Sequence, residues 1–391
     1  MRAVLTYYDP ASYTQTREIG FVERVGGSLI GIPIGIILIF FPMALLWWNE
    51  HRNVEASEAI ELALEKVITV PSTAISPQNN GRLVHVVGTG SAAGVIDQGL
   101  GLTLPSTLVA QRHVEMYQWR ERKSEQTNNN WGGSQTVTTS YGYESTWSSE
   151  WFDSRNFKIP TGHVNPSMPV RSAVLPAEDA KLGAFRLGGS TLAALAEGPG
   201  LIFSEPTGFQ HLRPEKLPAG YRLTPEGSLY RGKDPARPVV GDLRVTYSGV
   251  PSGSTVTVVA KQSGEGFTDY PMARGYTFQL ASVGNRSAQA LLEERASREN
   301  TLTWVLRCAG VLVMWAGFML LLGPLAVLVS IVPFLGTLAE ALTADIAFVL
   351  ALILGSLTIA VAWLFVHPVI SIIFIIVTLV LGGTYIYVRR G

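Results

Sequence analysis

The chain of 391 residues has a single cysteine and no excess of either charge. One thiol, Cys308, cannot form an intramolecular disulfide, and it excludes zinc sites built from several cysteines. The 30 basic side chains equal the 30 acidic ones in number. Proteins that bind nucleic acid usually carry a basic surface, so this balance argues against a nucleic-acid partner.

The sequence also lacks the common catalytic and metal-binding spacings. None of its histidines forms a His-Glu-x-x-His motif or a pair at i and i+4, and no phosphate-binding glycine loop or Gly-x-Ser-x-Gly elbow occurs. His113 and Glu115 share one face of a predicted strand and could hold an ion with a third group, but a structural histidine is the preferred interpretation. We therefore predict no enzyme, no catalytic residue, no metal and no cofactor.

Charge is scarce in four long apolar segments, which cover residues 26–48, 303–323, 342–366 and 369–388. A helix rises about 1.5 Å per residue, so about 20 apolar residues cross a hydrocarbon core of about 30 Å. The sequence predicts an α+β membrane protein with four transmembrane helices, one N-terminal and three C-terminal. Trp47 and Trp48 close the first segment without a small-residue cleavage site, which favours a retained signal anchor.

The remaining ranges follow from these spans. Residues 1–25 form a cytosolic segment that is either an interfacial helix or an unstructured tail, and residues 324–341 connect spans two and three. Residues 50–300 are expected to form a large β-rich domain between spans one and two. The arginines near the two termini favour cytosolic ends and an extracytosolic domain, by the positive-inside rule.

Inside the domain, apolar-polar alternation and β-branched runs predict strands at residues 82–87, 103–109, 113–122, 135–147, 243–247 and 255–260. Helical spacing predicts helices at residues 55–67, 178–186, 189–196 and 287–299. The first of these helices continues the first span, and the last continues into the second span.

The clearest local unit is a hairpin with aromatic side chains on both strands, joined by a polar turn at residues 124–133. Tyr117 and Trp119 share a face of one strand, because side chains alternate with period two. On the returning strand the aromatic residues are Tyr141, Tyr143 and Trp147. With Trp119 opposite Tyr141, Tyr117 would meet Tyr143 and His113 would meet Trp147. This aromatic surface is either a binding face or, as we prefer, a packing face.

Small residues recur at helical spacing in two spans, at Gly27, Gly31 and Gly35 and at Ala347, Ala351 and Gly355. Small side chains let helix backbones approach closely in lipid. The stripes are candidates for self-association of the chain, or for packing the helices of one copy. The span interiors hold no Asp, Glu, Lys or His, which disfavours transport or a proton relay through one copy.

Several sequence motifs in the chain resemble those of a known family, transmembrane protein 43 (LUMA), in collinear order over nearly the whole length. The motifs are Gly20–Arg24, Asn49–Arg52, Asn80–His85, Arg112–Trp119, Gly162–Ser167, Gly241–Val245 and Ala362–Phe365. The resemblance implies four spans, cytosolic termini, a large lumenal domain and no catalytic residues. It also implies self-association and organisation of other membrane proteins, in the endoplasmic reticulum and inner nuclear membrane of animals.

Together these observations predict a self-associating membrane scaffold whose partners are membrane lipids, a second copy and other membrane proteins. Arginine outnumbers lysine, and glycine and alanine are abundant, which we interpret as favouring a bacterial member with a periplasmic domain on the inner membrane. Two alternatives stay open: a membrane-anchored module that senses a ligand or lipid, and a pore formed only between copies.

Overall fold

A computed structural model of the chain describes residues 6–9, 12–196, 208–272, 275–364, 372 and 376. It contains four helices, α1 (Phe21–Lys66), α2 (Gly189–Ala196), α3 (Ala288–Val329) and α4 (Pro333–Trp363). The chain divides into two compact units: residues 1–55, 123–142 and 299–391 form the first, and residues 56–122 and 143–298 form the second. The α+β class predicted from sequence is confirmed.

Among the described residues, α1, α3 and α4 are long and apolar enough to cross a membrane. They contain the predicted spans 26–48, 303–323 and most of 342–366. The predicted fourth span, 369–388, lies outside the described residues except for Ile372 and Ile376. The membrane helices therefore number three in the part of the chain that the structure describes.

The helices are longer than the apolar segments that predicted them. α1 continues to Lys66 and α3 begins at Ala288, so the helices predicted at 55–67 and 287–299 are confirmed. Most of the predicted connection 324–341 is also helical, since only Ser330–Val332 separate α3 from α4. Apolar residues in this connection extend both helices, and Pro333 stands at the first turn of α4, where its missing N–H costs no hydrogen bond.

The core of the first unit lies between these helices and is made by Ile39, Leu46, Met314 and Ala351. The nitrogen Nε1 of Trp315 donates a 2.9 Å hydrogen bond to the carbonyl oxygen of Ala344, which ties α3 to α4. Polar groups that bond across helices in this way add to packing where the hydrophobic effect between helices is absent.

The N-terminal segment is neither a tail nor an interfacial helix over most of its length. It forms two antiparallel strands, β1 (Thr6–Asp9) and β2 (Ser12–Ile19), and α1 begins at Phe21 immediately after them. β2 pairs with residues 135–142 of a later strand, from Ser12 opposite Gly142 to Ile19 opposite Gln135. The prediction failed because this strand gains its hydrogen bonds from a partner more than 100 residues away.

The second unit is built mainly of strands. The longer ones are β3 (Ile68–Pro71), β4 (Leu83–Ser91), β5 (Gly94–Asp97), β6 (Leu102–Pro105), β7 (Thr107–Asn129), β8 (Gln135–Ser148), β9 (Ala173–Pro176), β15 (Leu243–Pro251), β16 (Thr255–Ser263) and β19 (Thr277–Val283). The short ones are β10 (Lys181–Leu182), β11 (Phe185–Arg186), β12 (Gln210–His211), β13 (Arg222–Leu223), β14 (Leu229–Arg231), β17 (Gly266–Thr268) and β18 (Tyr270–Pro271). β7 ends and β8 begins in the first unit, to which residues 123–142 belong.

Two larger sheets contribute to the second unit, and β5 and β6 pair as a separate two-stranded sheet. In one, β7 lies beside β15, which is followed by β14 and β13, and β9 and β12 pair at its margins. The other has the order β11-β10-β4-β16-β19-β18, with β3 parallel to β4. Side chains from both sheets, such as Val86, Val258, Val114 and Val245, share one hydrophobic core.

The second of these sheets is covered on both faces. One face contributes to the shared core, and the other packs Leu83, Val259 and Phe278 against Ala63 of α1 and Leu292 of α3. Residues 83–86 and 256–260 are therefore consecutively buried, as expected for strands without a solvent face. Five of the six predicted strands each correspond to a single strand, and the one predicted at 103–109 is divided between β6 and β7 at Ser106. The helix predicted at 178–186 is wrong because its residues pair as β10 and β11.

Candidate functional site

The aromatic hairpin predicted from sequence exists, but its register differs from the prediction. The ring of Trp147 packs edge-on against Tyr117, with centroids 5.4 Å apart, and so Tyr117 takes the place that was expected for His113. The hydroxyl of Ser145 donates a 2.9 Å hydrogen bond to the hydroxyl of Tyr117. The two strands are thus shifted by four residues, because β7 continues to Asn129 and the turn is shorter than expected.

The polar residues 124–129 were predicted as turn and instead extend β7. Their side chains are mostly exposed, and the strand is paired through its backbone with β8, so polarity does not oppose strand formation here. The turn itself uses Gly132 and Gly133, both with φ near +80°. Only glycine adopts that conformation without strain from a Cβ atom.

Most of the aromatic surface is occupied within its own unit. His163 stacks on Tyr143 with a centroid distance of 4.0 Å and meets Trp119 edge-on at 4.8 Å. The Tyr143 hydroxyl donates to Oε2 of Glu121 at 2.9 Å. The guanidinium of Arg244 lies 4.8 Å from the centre of the Trp147 ring. Packing therefore accounts for Tyr117, Trp119, Tyr143 and Trp147.

Tyr141 belongs to the first unit and is not part of this cluster. It lies directly opposite Tyr13 of β2, with ring centroids 6.1 Å apart. The five aromatic residues predicted as one surface are thus divided between two units, and no single face presents them all.

Five of the six small residues in the predicted stripes pack inside one copy. A Cβ atom added at Gly35 would lie 2.7 Å from the carbonyl oxygen of Gly317, and one at Gly31 would lie 3.4 Å from Leu320. At Gly355 it would lie 3.0 Å from Val311. Ala347 and Ala351 are fully buried. The exception, Gly27, has no described atom within 4 Å of the position that a Cβ would take.

One end of the membrane helices carries a buried charged cluster centred on Glu50, which is 1 % exposed. Arg307 donates to its two carboxylate oxygens at 2.7 and 2.6 Å, and Nε1 of Trp363 donates to Oε2 at 2.5 Å. The ring of Trp304 lies 4.7 Å from the Arg307 guanidinium. A second ion pair, between Arg52 and Glu299, lies near it. Each charge is neutralised by its partner, as buried charges require.

The opposite end is organised by Arg24, in the first turn of α1. Its Nη1 donates to the carbonyl oxygen of Gly133 and to Oγ of Ser330, each at 2.8 Å. The backbone N–H of Gly132 donates to the carbonyl oxygen of Ile331 at 3.0 Å. The tip of the β7–β8 hairpin thus contacts the beginning of α1 and the turn between α3 and α4, although sequence assigned it to the domain 50–300.

A buried polar node in the second unit went unnoticed in the sequence. The carboxylate of Asp97 accepts hydrogen bonds from Arg112, from the Tyr247 hydroxyl at 2.5 Å and from the N–H of Gly99 at 2.9 Å. Burial first, and then the hydrogen bond to Asp97, raises the pKa of the Tyr247 hydroxyl above its ordinary value. The node therefore holds β5 against β7 and β15.

The histidines have structural contacts where they are buried. Nδ1 of His85 lies 3.1 Å from Oγ1 of Thr69 and its Nε2 lies 2.9 Å from the carbonyl oxygen of Arg286. His113 is exposed, while Glu115 pairs with Arg244 rather than with it. Within the described part of the chain, no group of three or more His, Cys, Asp or Glu side chains could hold a metal ion.

Comparison with known proteins places these features in a family. The family model described as transmembrane protein 43 matches residues 116–368. The chain belongs to the transmembrane protein 43 family. Transmembrane protein 43 of Mus musculus is 32 % identical over 371 residues, covering 91 % of this chain and 89 % of that protein. The Homo sapiens protein is 31 % identical over 365 residues, covering 89 % and 88 %.

A third animal relative gives the same result. The transmembrane protein 43 homolog of Drosophila melanogaster is 32 % identical over 358 residues, which cover 86 % of this chain and 89 % of that protein. No solved structure matches the chain. These three relatives are animal proteins, so they do not bear out a bacterial origin.

Several of the motifs that resemble the transmembrane protein 43 family contain residues that make the contacts described above. Arg24 belongs to the motif Gly20–Arg24, and Glu50 belongs to the motif Asn49–Arg52. Asn165, in Gly162–Ser167, accepts from the N–H of Trp119 at 2.7 Å and donates to its carbonyl oxygen at 2.8 Å. These motifs therefore supply buried polar contacts that stabilise the fold. The spacing of residues in the sequence did not indicate these contacts.

Proposed function

We propose that this integral membrane protein of the transmembrane protein 43 family is a non-catalytic organiser that associates with itself. Its membrane helices anchor and gather copies, and its β-rich unit is the surface for assembly with other membrane proteins. The names of its relatives carry no enzymatic activity. The proposal rests on one observation, the apolar face of α1 that the described residues leave uncovered.

Within one copy, α1 buries a narrow face. The buried residues of its membrane segment are Arg24, Gly31, Gly35, Ile39, Pro42, Leu46, Asn49 and Glu50. On the other side, Ile30, Ile37 and Phe41 are each more than 60 % exposed, and no described atom lies within 4 Å of the position that a Cβ of Gly27 would take. A glycine next to bulky apolar side chains allows close approach of a second helix in lipid.

The positions and partners of the charged groups in the membrane helices favour a role in anchoring and assembly over a role in transport. The charges of Arg24, Glu50 and Arg307 stand near the ends of the apolar spans and are engaged with partners. Moving an ion through one copy would require polar groups at mid-bilayer, where each charge costs about 2.5–3.5 kcal/mol on insertion scales.

Self-association is tested with Gly27→Leu, which fills the open space on α1, beside Leu325→Phe, which adds bulk at an exposed site on α3. Blue-native electrophoresis and chemical crosslinking in mild detergent measure the copy number. We expect wild type and Leu325→Phe to form oligomers and Gly27→Leu to shift toward monomer. A wild-type protein that is monomeric in both assays would overturn the proposal.

We further propose cytosolic termini, with the β-rich unit on the opposite side of the membrane. Cysteines introduced at Thr337, near the beginning of α4, and at Ser263 in a Cys308→Ser background report the two sides. We expect an impermeant thiol reagent to label the Ser263 position in intact cells and to leave the Thr337 position unlabelled.

A further inference from the structure

A groove of about 570 Å³ separates α3 from α4 in the first unit. Its walls are apolar along most of their length, with Val311, Leu312, Phe348, Leu352 and Ile359 among the lining residues. Its volume falls within the range of small-molecule sites, about 300–1,000 Å³. The groove lies between two helices apolar enough to cross a membrane, so hydrocarbon chains, and not water, surround it.

The groove has one polar end. Trp304, Arg307 and Trp363 line it there, beside the buried Glu50 carboxylate. Arg307 donates to Glu50 through Nε and Nη2. Its third nitrogen, Nη1, has no hydrogen-bond partner among the described residues. A guanidinium flanked by tryptophans is the usual composition of a membrane interface that contacts phosphate groups.

The groove is long enough to hold the hydrocarbon of one leaflet. From Trp363 to Phe348 along α4, the helix rises about 22 Å at 1.5 Å per residue. One leaflet supplies about 15 Å of hydrocarbon, half of the ~30 Å core. A chain that enters at Arg307 can therefore lie in the groove over its whole leaflet.

We propose that this groove binds a phospholipid, with one acyl chain between α3 and α4 and the phosphate hydrogen-bonded to Nη1 of Arg307. The competing occupant is residues 369–388 of the same chain. That segment contains no anionic side chain to pair with the Arg307 guanidinium, whereas a lipid headgroup supplies an anionic phosphate. The inference is independent of self-association.

The test uses the full-length protein reconstituted with equal amounts of phosphatidylglycerol and phosphatidylcholine, then extracted in mild detergent. Native mass spectrometry measures the lipid that stays bound. Ser356→Phe fills the groove, and Leu350→Phe adds the same ring on α4 at an exposed position outside the groove. We expect Ser356→Phe to lower lipid retention about tenfold, equivalent to 1.4 kcal/mol of binding free energy, and Leu350→Phe to retain lipid as wild type does.

Arg307→Lys tests the phosphate contact, because lysine keeps a charge for Glu50 but lacks the planar fork that binds the carboxylate through two nitrogens and presents a third to the phosphate. We expect retention of both lipids to fall, because both carry the phosphate. Melting temperatures confirm that each variant is folded. Equal lipid retention in folded Ser356→Phe and Leu350→Phe proteins would overturn the proposal.

The native thiol distinguishes the two occupants. Cys308 lines the groove and is exposed to it. A scan of single cysteines over residues 369–376 measures disulfide formation with Cys308. We expect no efficient crosslink, and bound lipid should slow alkylation of Cys308 by N-ethylmaleimide. Efficient crosslinking would show that the chain itself fills the groove, which would also overturn the proposal.

Discussion

Arg24 and Gly133 are 109 residues apart in the chain, yet Nη1 of Arg24 donates a 2.8 Å hydrogen bond to the carbonyl oxygen of Gly133. The same nitrogen donates to Ser330, and Nη2 lies 3.4 Å from Glu340. One side chain in the first turn of α1 therefore joins the hairpin tip, the turn between α3 and α4, and the start of α4.

Replacing Arg24 should loosen the first unit. In Arg24→Gln the shorter side chain loses charge-assisted hydrogen bonds in a buried site, and we expect a loss of about 2–3 kcal/mol in the free energy of unfolding. Thermal unfolding in detergent measures it. Arg17→Gln is the matched control, since its ion pair with Glu23 is exposed and should contribute at most about 1 kcal/mol. Equal effects of the two variants would contradict the role assigned to Arg24.

The pairing of β2 with β8 predicts that two cysteines introduced at opposed positions form a disulfide. Thr16 lies directly opposite Thr138, and their Oγ1 atoms are 3.5 Å apart. Directly opposed residues bring Cβ atoms within about 5.5 Å, which suits a disulfide after small adjustment. We expect a Thr16→Cys/Thr138→Cys protein lacking Cys308 to oxidise readily, as measured by mobility on non-reducing gels.

A control pair tests the register of that disulfide. Ser12→Cys/Thr138→Cys is four residues out of register, about 13 Å along the strand at 3.3 Å per residue. It should remain reduced. Equal oxidation of both pairs would indicate that residues 12–19 are a tail without a fixed partner.

Glu50 is expected to be essential for the packing of the membrane helices. Glu50→Gln leaves the half-buried Arg307 without its counter-charge, and removal of one partner from a buried ion pair typically costs about 3–5 kcal/mol. Thermal unfolding should show this loss, while Glu58→Gln, at an exposed position of α1, should not change stability. The double variant Glu50→Gln/Arg307→Gln should lose less than the sum of the single losses. Strict additivity would argue against the pair.

Tyr247 makes the stability of the protein sensitive to alkaline pH. Its pKa is raised in the folded state by burial and by Asp97, whereas an unfolded tyrosine ionises near pH 10. The unfolded state therefore releases its proton first, and the stabilisation, complete below about pH 10, is lost as the pH rises further.

We expect the melting temperature of wild type to fall above pH 10 more steeply than that of Tyr247→Phe. The free energy of unfolding of wild type should fall by about 1.4 kcal/mol more per pH unit than that of the variant. At pH 7 the variant should be the less stable protein, because Asp97 loses a hydrogen bond. Melting curves between pH 7 and 11 test this. A gap between the two proteins that stays constant with pH would contradict the assignment.

The sequence determined the membrane helices, their continuation beyond the membrane and the positions of the main strands. These features depend on composition and on periodicity within one element, such as the consecutive apolar residues of 255–260 or the length of 26–48. The family was recognisable for the same reason, since each of its motifs is contiguous in the chain.

Tertiary structure alone decided what those elements contact. The strand at Ser12–Ile19, the four-residue shift between Tyr117 and Trp147, and the contact between Arg24 and Gly133 all join residues far apart in the chain. A polar strand can pair with many partners at nearly equal local cost, and a glycine stripe can pack within a copy or between copies. Only the complete set of neighbours fixes which contact forms, as Gly35 against Gly317 shows.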